Sequence, residues 1–220
     1  MASFFNLTLD TTAPAGLTLK LNNGAAYATS TAVTATIGLT DTETTGYQMK
    51  IWGVAGAATE SEAAWATFVK SKAITLTTGD GQKTVSIKVR DDVGNETATV
   101  TAKITLDTAV PVVTITGPDK SKISKVATFN VSAFSFSANA DFEEYKIKVV
   151  PSESSLENAG TQIPVTAGST NTSGTAGGYK KDTAINVTIN GADLEAASAG
   201  DGVKIVKVFV KNAAGTWSVA

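Results

Sequence analysis

The sequence predicts an all-β protein made of two β-sandwich domains in tandem. Three observations carry that expectation: apolar and polar residues alternate with a period of two along most of the chain, threonine and valine dominate those runs, and two phrases recur about one hundred residues apart. Of the 220 residues, 42% are hydrophobic and 17% charged, so each half has enough apolar material to bury a core.

The repeats set the domain boundary. Leu9-Asp10-Thr11-Thr12-Ala13-Pro14 returns as Leu106-Asp107-Thr108-Ala109-Val110-Pro111, a shift of 97 from Leu9 to Leu106. Tyr47-Gln48-Met49-Lys50-Ile51 is answered by Tyr145-Lys146-Ile147-Lys148-Val149, a shift of 98. Gly79-Asp80-Gly81 and the run to Val89 are answered by Gly200-Asp201-Gly202 and the run to Val210, a shift of 121. The second copy is therefore longer after position 150. This places domain one at residues 1–107, with an N-terminal strand at 3–9, and domain two at 108–220, with a loop insertion at about 151–183. Within that insertion the Thr/Gly/Ser tract from Thr166 to Gly178 is expected to be a flexible loop.

The strands follow from the alternation. In copy one they are Val33 to Leu39, Tyr47 to Ile51, Val85 to Val89 and Thr97 to Leu106; in copy two Phe129 and Val131, Val187 and Ile189, and Ile205 to Val210. β-Branched side chains are stiff at χ1 and suit a pleated surface better than a helix. Asn22-Asn23-Gly24, Gly79-Asp80-Gly81, Val93-Gly94-Asn95 and Gly200-Asp201-Gly202 supply the turns between them. About seven short strands per hundred residues reads as an immunoglobulin-like sandwich. One stretch departs: Ser61 can cap a helix, and Trp65, Phe68 and Val69 follow at helical spacing, so a short helical turn is expected there with Trp65 and Phe68 buried.

Composition closes most enzyme mechanisms. There is no cysteine and no histidine, hence no disulfide, thiolate nucleophile or imidazole base. The net charge is −2, with no block of one sign, so neither nucleic acid nor an anionic membrane is expected as a partner. Met1 to Pro14 has no basic residue before its apolar ones and meets Asn6 early, unlike a secretory signal, and no run reaches the ~18 apolar residues of a membrane span. The expectation is a non-enzymatic protein made in a cytoplasm, without cofactor or metal.

The order LDTTAP, a strand with Asn-Gly, a Trp/Phe segment, GDGQKTVSIKVRDDVGN and a second LDT phrase resembles the tandem immunoglobulin-like repeats of bacterial surface proteins and of bacteriophage structural proteins. The resemblance spans nearly the whole chain and is clearest over residues 9–111. It implies two immunoglobulin-like domains in a virion structural protein: a head decoration, neck, tail or baseplate accessory. Its partners would then be other virion proteins and further copies of itself, and its location the particle. The alternative the resemblance allows is a cell-surface adhesin or carbohydrate-binding module engaging a host surface glycan. Copy two departs from the pattern, with Lys211-Asn212-Ala213-Ala214-Gly215-Thr216 in place of Arg90-Asp91-Asp92-Val93-Gly94-Asn95 and no strand after it.

Candidate functional residues fall in three groups. The carboxylates of Asp91, Asp92 and Glu96, and the pairs Asp41/Glu43 and Glu60/Glu62, read as turn and loop residues rather than a Ca²⁺ or glycosidase site. Trp52 and Trp217, near strand ends, are candidate surface aromatic contacts for a sugar. Finally, Phe4 to Leu9 aligns with Thr101 to Leu106 by the 97-residue shift, so a last-strand sequence precedes the first domain while the second lacks most of its own last strand. Phe4, Phe5, Leu7, Leu9, Trp217 and Val219 are therefore a candidate strand-exchange interface between copies.

Overall fold

Eight strands use the alternating runs of the first half. They are β1 (Thr18–Leu21), β2 (Tyr27–Ala28), β3 (Ala32–Gly38), β4 (Gln48–Trp52), β5 (Ala66–Thr67), β6 (Ser71–Thr75), β7 (Gly81–Arg90) and β8 (Val100–Leu106). The second half adds β9 (Val113–Thr116), β10 (Val131–Ala138), β11 (Glu144–Val150), β12 (Thr161–Gln162), β13 (Ile185–Asn190), helix α1 (Gly191–Ala197) and β14 (Ile205–Lys211). This is a computed structural model describing residues 5–125, 131–163 and 178–219. Among the described residues the protein is all-β apart from α1 and one 3₁₀ turn, and it divides into two compact units, Met1–Thr108 and Ala109–Ala220.

In the first unit a three-stranded sheet, β1-β3-β6, faces a five-stranded one, β2-β8-β7-β4-β5. Neighbours are antiparallel except β2, which runs parallel to β8. The alternation decides what lies between them. Leu19 and Leu21, Val33, Ala35 and Ile37, and Ile74 come from one sheet; Met49, Val85, Ile87, Val89, Ile104 and Leu106 come from the other, and all are buried in one core. In the second unit β13-β10-β9 and β12-β11-β14 are three-stranded. Phe134, Phe136, Ile147, Val149, Val187, Ile189, Val208 and Val210 fill the core between them, and the Tyr145 ring meets Phe136 edge-on at 5.1 Å.

Two local expectations are corrected. Residues 61–69 form no helix: the Glu62 carboxylate accepts the N–H groups of Ala58 and Thr59, and the chain then enters β5, whose Ala66 and Thr67 pair with Met49 and Gln48. Phe68 is buried, but Trp65 is only half-buried, so helical spacing here was a coincidence of two faces of an extended segment. Residues 5–9 form no strand of the first unit; they have no ladder partner among the described residues, and Phe5, Leu7 and Leu9 are 85%, 88% and 87% exposed. The one α-helix among the described residues lies elsewhere, at α1, where Asn190 Oδ1 accepts the Asp193 N–H at 2.8 Å and caps it.

Candidate functional site

The turn after β7 and the turn after β14 are built the same way. Asp91 Oδ1 accepts the N–H groups of Val93 and Asn95, the Asn95 side chain donates to Asp91 Oδ2, and the Thr97 hydroxyl accepts the Val89 N–H at 3.1 Å. At the positions 121 residues on, Asn212 Oδ1 accepts the Thr216 N–H at 2.8 Å and the Ser218 hydroxyl accepts the Val210 N–H at 3.1 Å. Burial alone would raise the Asp91 carboxyl. The bonds it accepts from the Asn95 side chain and from the N–H groups of Asn95, Gly94 and Val93 outweigh that and hold it below the ordinary carboxylate range. A neutral Asn212 performs the same turn in the second unit, so the role is to hold a turn.

Past these turns the two units part. In the first, β8 pairs with β7 from Gly81 to Ile87, with Val85 opposite Ala102 and Lys83 opposite Ile104. In the second, β14 pairs with β11 on one side, and on the other only the bridge of Lys211 with Trp217 and the Ser218–Val210 bonds occur among the described residues. Backbone groups alternate sides along a strand, so the N–H and C=O of Val206 and Val208 point to the same side as those of Val210, where no ladder strand lies among the described residues. The consequence is visible in strand length. Gly81 to Val85 pair with β8 alone; of their counterparts Gly202 to Val206, the first three, Gly202 to Lys204, are not in a strand.

A cavity of about 190 Å³ lies in the second unit beside the start of β14, lined by Ile115, Phe134, Ile189, Leu194, Lys204 and Val206 and by Pro118, Lys120, Ser121 and Ile123 of the segment that follows β9. Lys204 and Val206 are the counterparts of Lys83 and Val85, whose cross-strand neighbours Ile104 and Ala102 belong to β8. Val85 is fully buried, whereas Val206 is only partly so. Val203 is 95% exposed.

The sequence-selected residues fall on both sides of this picture. Phe4 lies outside the described residues. Phe5, Leu7 and Leu9 are exposed with their apolar side chains on alternate positions, and Val219 is exposed beside the turn. Trp217 is half-buried, with Lys146 Nζ over its ring at 4.2 Å and Lys211 Nζ at 5.3 Å. Trp65 plays the matching part in the first unit, under Arg90 at 4.4 Å and Lys50 at 5.3 Å. Arg90 and Lys211 are counterparts under the 121-residue shift. Trp52 is half-buried at the end of β4 and belongs to the first unit, Trp217 to the second.

No protein-family model matches the chain, and no curated protein matches it in sequence. Among solved structures that match is chitinase ChiA74 from Bacillus thuringiensis, at 14% identity and a TM-score of 0.30, over 92% of this chain and 30% of that one. The chain thus spans under a third of that structure's length.

The carboxylates carry structural bonds. Glu60 pairs with Lys88 at 2.9 Å, and Asp41 accepts from the Ala15 N–H and the Tyr47 hydroxyl. Burial, then the Asp41 charge and its hydrogen bond, raise the Tyr47 phenol. Among the described residues no three acidic, His or Cys side chains gather where they could hold a metal ion, and no helix is long and apolar enough to cross a membrane. The cavity and the unpaired edge were not foreseen together: the sequence repeat pointed to the edge, but the cavity is lined by residues from Ile115 to Val206 that no local pattern connects.

Proposed function

We propose that the protein is a structural component of a bacteriophage particle, working through protein–protein contacts and not through catalysis. The observation that carries this reading is the edge of β14 that no ladder strand covers among the described residues, beside a largely apolar cavity. An unpaired edge with part of a core behind it is a surface that accepts an added strand, and soluble monomers ordinarily cover such edges. The order β1-β3-β6 facing β2-β8-β7-β4-β5 supports the immunoglobulin-like reading, since it puts the first, second and fifth main strands in one sheet and the third, sixth and seventh in the other. Repeated modules of this kind serve as spacers and docking platforms, and the likeness to tandem repeats of phage structural proteins supports the particle as their setting. The lysines over the Trp217 ring support a role for that side chain in holding the turn rather than in stacking on a sugar.

Mass spectrometry of purified particles from the phage that encodes the chain tests this. The chain should be present at a fixed copy number relative to the major capsid or tail protein. Its absence from particles, with the isolated protein binding host cell walls and losing that binding on Trp52→Ala or Trp217→Ala, would favour the adhesin reading instead.

A further inference from the structure

We infer that residues 151–160 form a latch over the outer face of the β12-β11-β14 sheet, held there by lysine side chains, and that this latch opens as a unit while the second sandwich stays folded. The latch lies on a different face from the β14 edge and does not rest on the particle reading.

The outer face of this sheet carries a covered apolar patch. Along β11 the core takes Tyr145, Ile147 and Val149, so Glu144, Lys146, Lys148 and Val150 face outward. Along β14 it takes Val206, Val208 and Val210, so Ile205, Lys207, Phe209 and Lys211 do the same. Yet Phe209 and Val150 are both buried. Lys207 shows what covers them. Its ammonium stands over the Phe209 ring at 5.2 Å and donates to the Glu153 and Ser155 carbonyls at 2.7 and 2.8 Å. Lys148 donates to the Glu157 carbonyl at 2.8 Å, and Lys146 to the Glu157 carboxylate at 3.1 Å. Lys148 is itself buried and stands directly opposite Lys207 in the ladder, a costly arrangement for like charges on one sheet face. The carbonyls of the segment offset that cost by giving both ammoniums acceptors.

The segment gives the core nothing in return. From Pro151 to Gly160 every side chain is exposed or half-exposed, Leu156 among the exposed. Its own backbone bonds are local turns, from the Ser155 N–H to the Ser152 carbonyl and from the Ala159 N–H to the Leu156 carbonyl. Its two ends are pinned to each other. Thr161 and Gln162 of β12 pair with Val149 and Lys148, and Gly160 turns at a φ of 70°, where an added Cβ would collide with the Val149 carbonyl. A loop closed at its base lifts without moving the strands that close it. In the first unit the connection after β4 is anchored otherwise, with Val54 and Ala63 buried. Opening the second-unit segment breaks lysine bonds and bares Phe209 and Val150, but it empties no part of the core between the sheets. Segments with so few buried apolar contacts open at less cost than the domain unfolds.

The chain has no cysteine, so a single introduced thiol reports exposure. Phe209 and Val210 are neighbours on opposite faces of β14. In native buffer Phe209→Cys should react with a thiol reagent at least about a hundredfold faster than Val210→Cys, whose exposure needs the sandwich to unfold, and at least about tenfold slower than the same thiol in urea-unfolded protein. Val150→Cys leaves the Phe209 ring in place and should behave in the same way. Adding Lys207→Met removes the bonds to Glu153 and Ser155 and should speed labelling of Val150→Cys at least about tenfold, with Val210→Cys unchanged. Labelling of both outer thiols at the Val210→Cys rate would mean that only unfolding bares this face. Labelling of both at the unfolded rate would mean that no latch is closed over it. Equal acceleration of Val150→Cys and Val210→Cys by Lys207→Met would mean that the lysine holds the sandwich and not the latch. Each of these three results overturns the inference.

Discussion

Ser218 and Val210 are bonded in both directions: the Val210 N–H donates to the Ser218 hydroxyl at 3.1 Å, and the Ser218 N–H donates to the Val210 carbonyl at 2.8 Å. Thr97 and Val89 form the same pair in the first unit, at 3.1 and 2.9 Å. Each hydroxyl stands in for a ladder partner at the point where the turn leaves the sheet, and both residues of each pair are buried.

Removing that hydroxyl leaves a buried N–H without a partner. Ser218→Ala should destabilise the second unit by about 1–3 kcal/mol, and Ser218→Thr, which keeps the acceptor, by much less. Urea unfolding followed by Trp217 fluorescence in a Trp52→Phe/Trp65→Phe background reads the second unit alone. An unchanged midpoint for Ser218→Ala would mean that water already satisfies this amide.

Asp91 makes the first unit acid-sensitive. Its carboxyl titrates below the ordinary range in the folded state, so the stability it contributes is full above the unfolded value, about 3.9, and is lost as pH falls through the folded one. Replacing the pair by its second-unit equivalents, Asp91→Asn with Asn95→Thr, should leave stability near pH 7 close to wild type and flatten the fall below about pH 4. Thermal melts of the first unit across that range, read by Trp52 and Trp65 with Trp217→Phe, measure the slope. An equal slope in both proteins would assign the acid sensitivity to other carboxylates.

Trp65 and Phe68 separate by face. Phe68→Ala empties a core position and should cost about 3–5 kcal/mol. Trp65→Ala removes a half-exposed ring under Arg90 and Lys50 and should cost about 1–2 kcal/mol, the scale of a partly desolvated cation–π contact with its packing. Denaturant melts rank the two, and a larger loss for Trp65 would return that ring to the core.

These two residues also show how far local pattern could be read. Along β3 or β7 each side chain is sorted by the sheet face it meets, so alternation is enough to name Val33, Ala35 and Ile37 as core. From Ser61 to Val69 the spacing of Trp65, Phe68 and Val69 fits a helix, but what decides the conformation is distant pairing with β4, which the segment cannot reveal. The helix that does form, α1, carried its signal in Asn190 followed by Asp193 and an alanine-rich turn, hidden behind the strand Ile185–Asn190. At the β14 edge the out-of-phase repeats were legible, because Phe5, Leu7 and Leu9 match β8 in sequence. The cavity was not, since Phe134, Ile189, Leu194 and Val206 meet only after both sheets have formed.

Amide hydrogen exchange tests the edge of β14 most directly. Val206 and Val208 should exchange at least about a hundredfold faster than Val85 and Ile87, whose N–H groups face β8 in the first unit. Protection of Val206 and Val208 equal to that of Val85 and Ile87 would mean that this edge is covered, and would contradict the account.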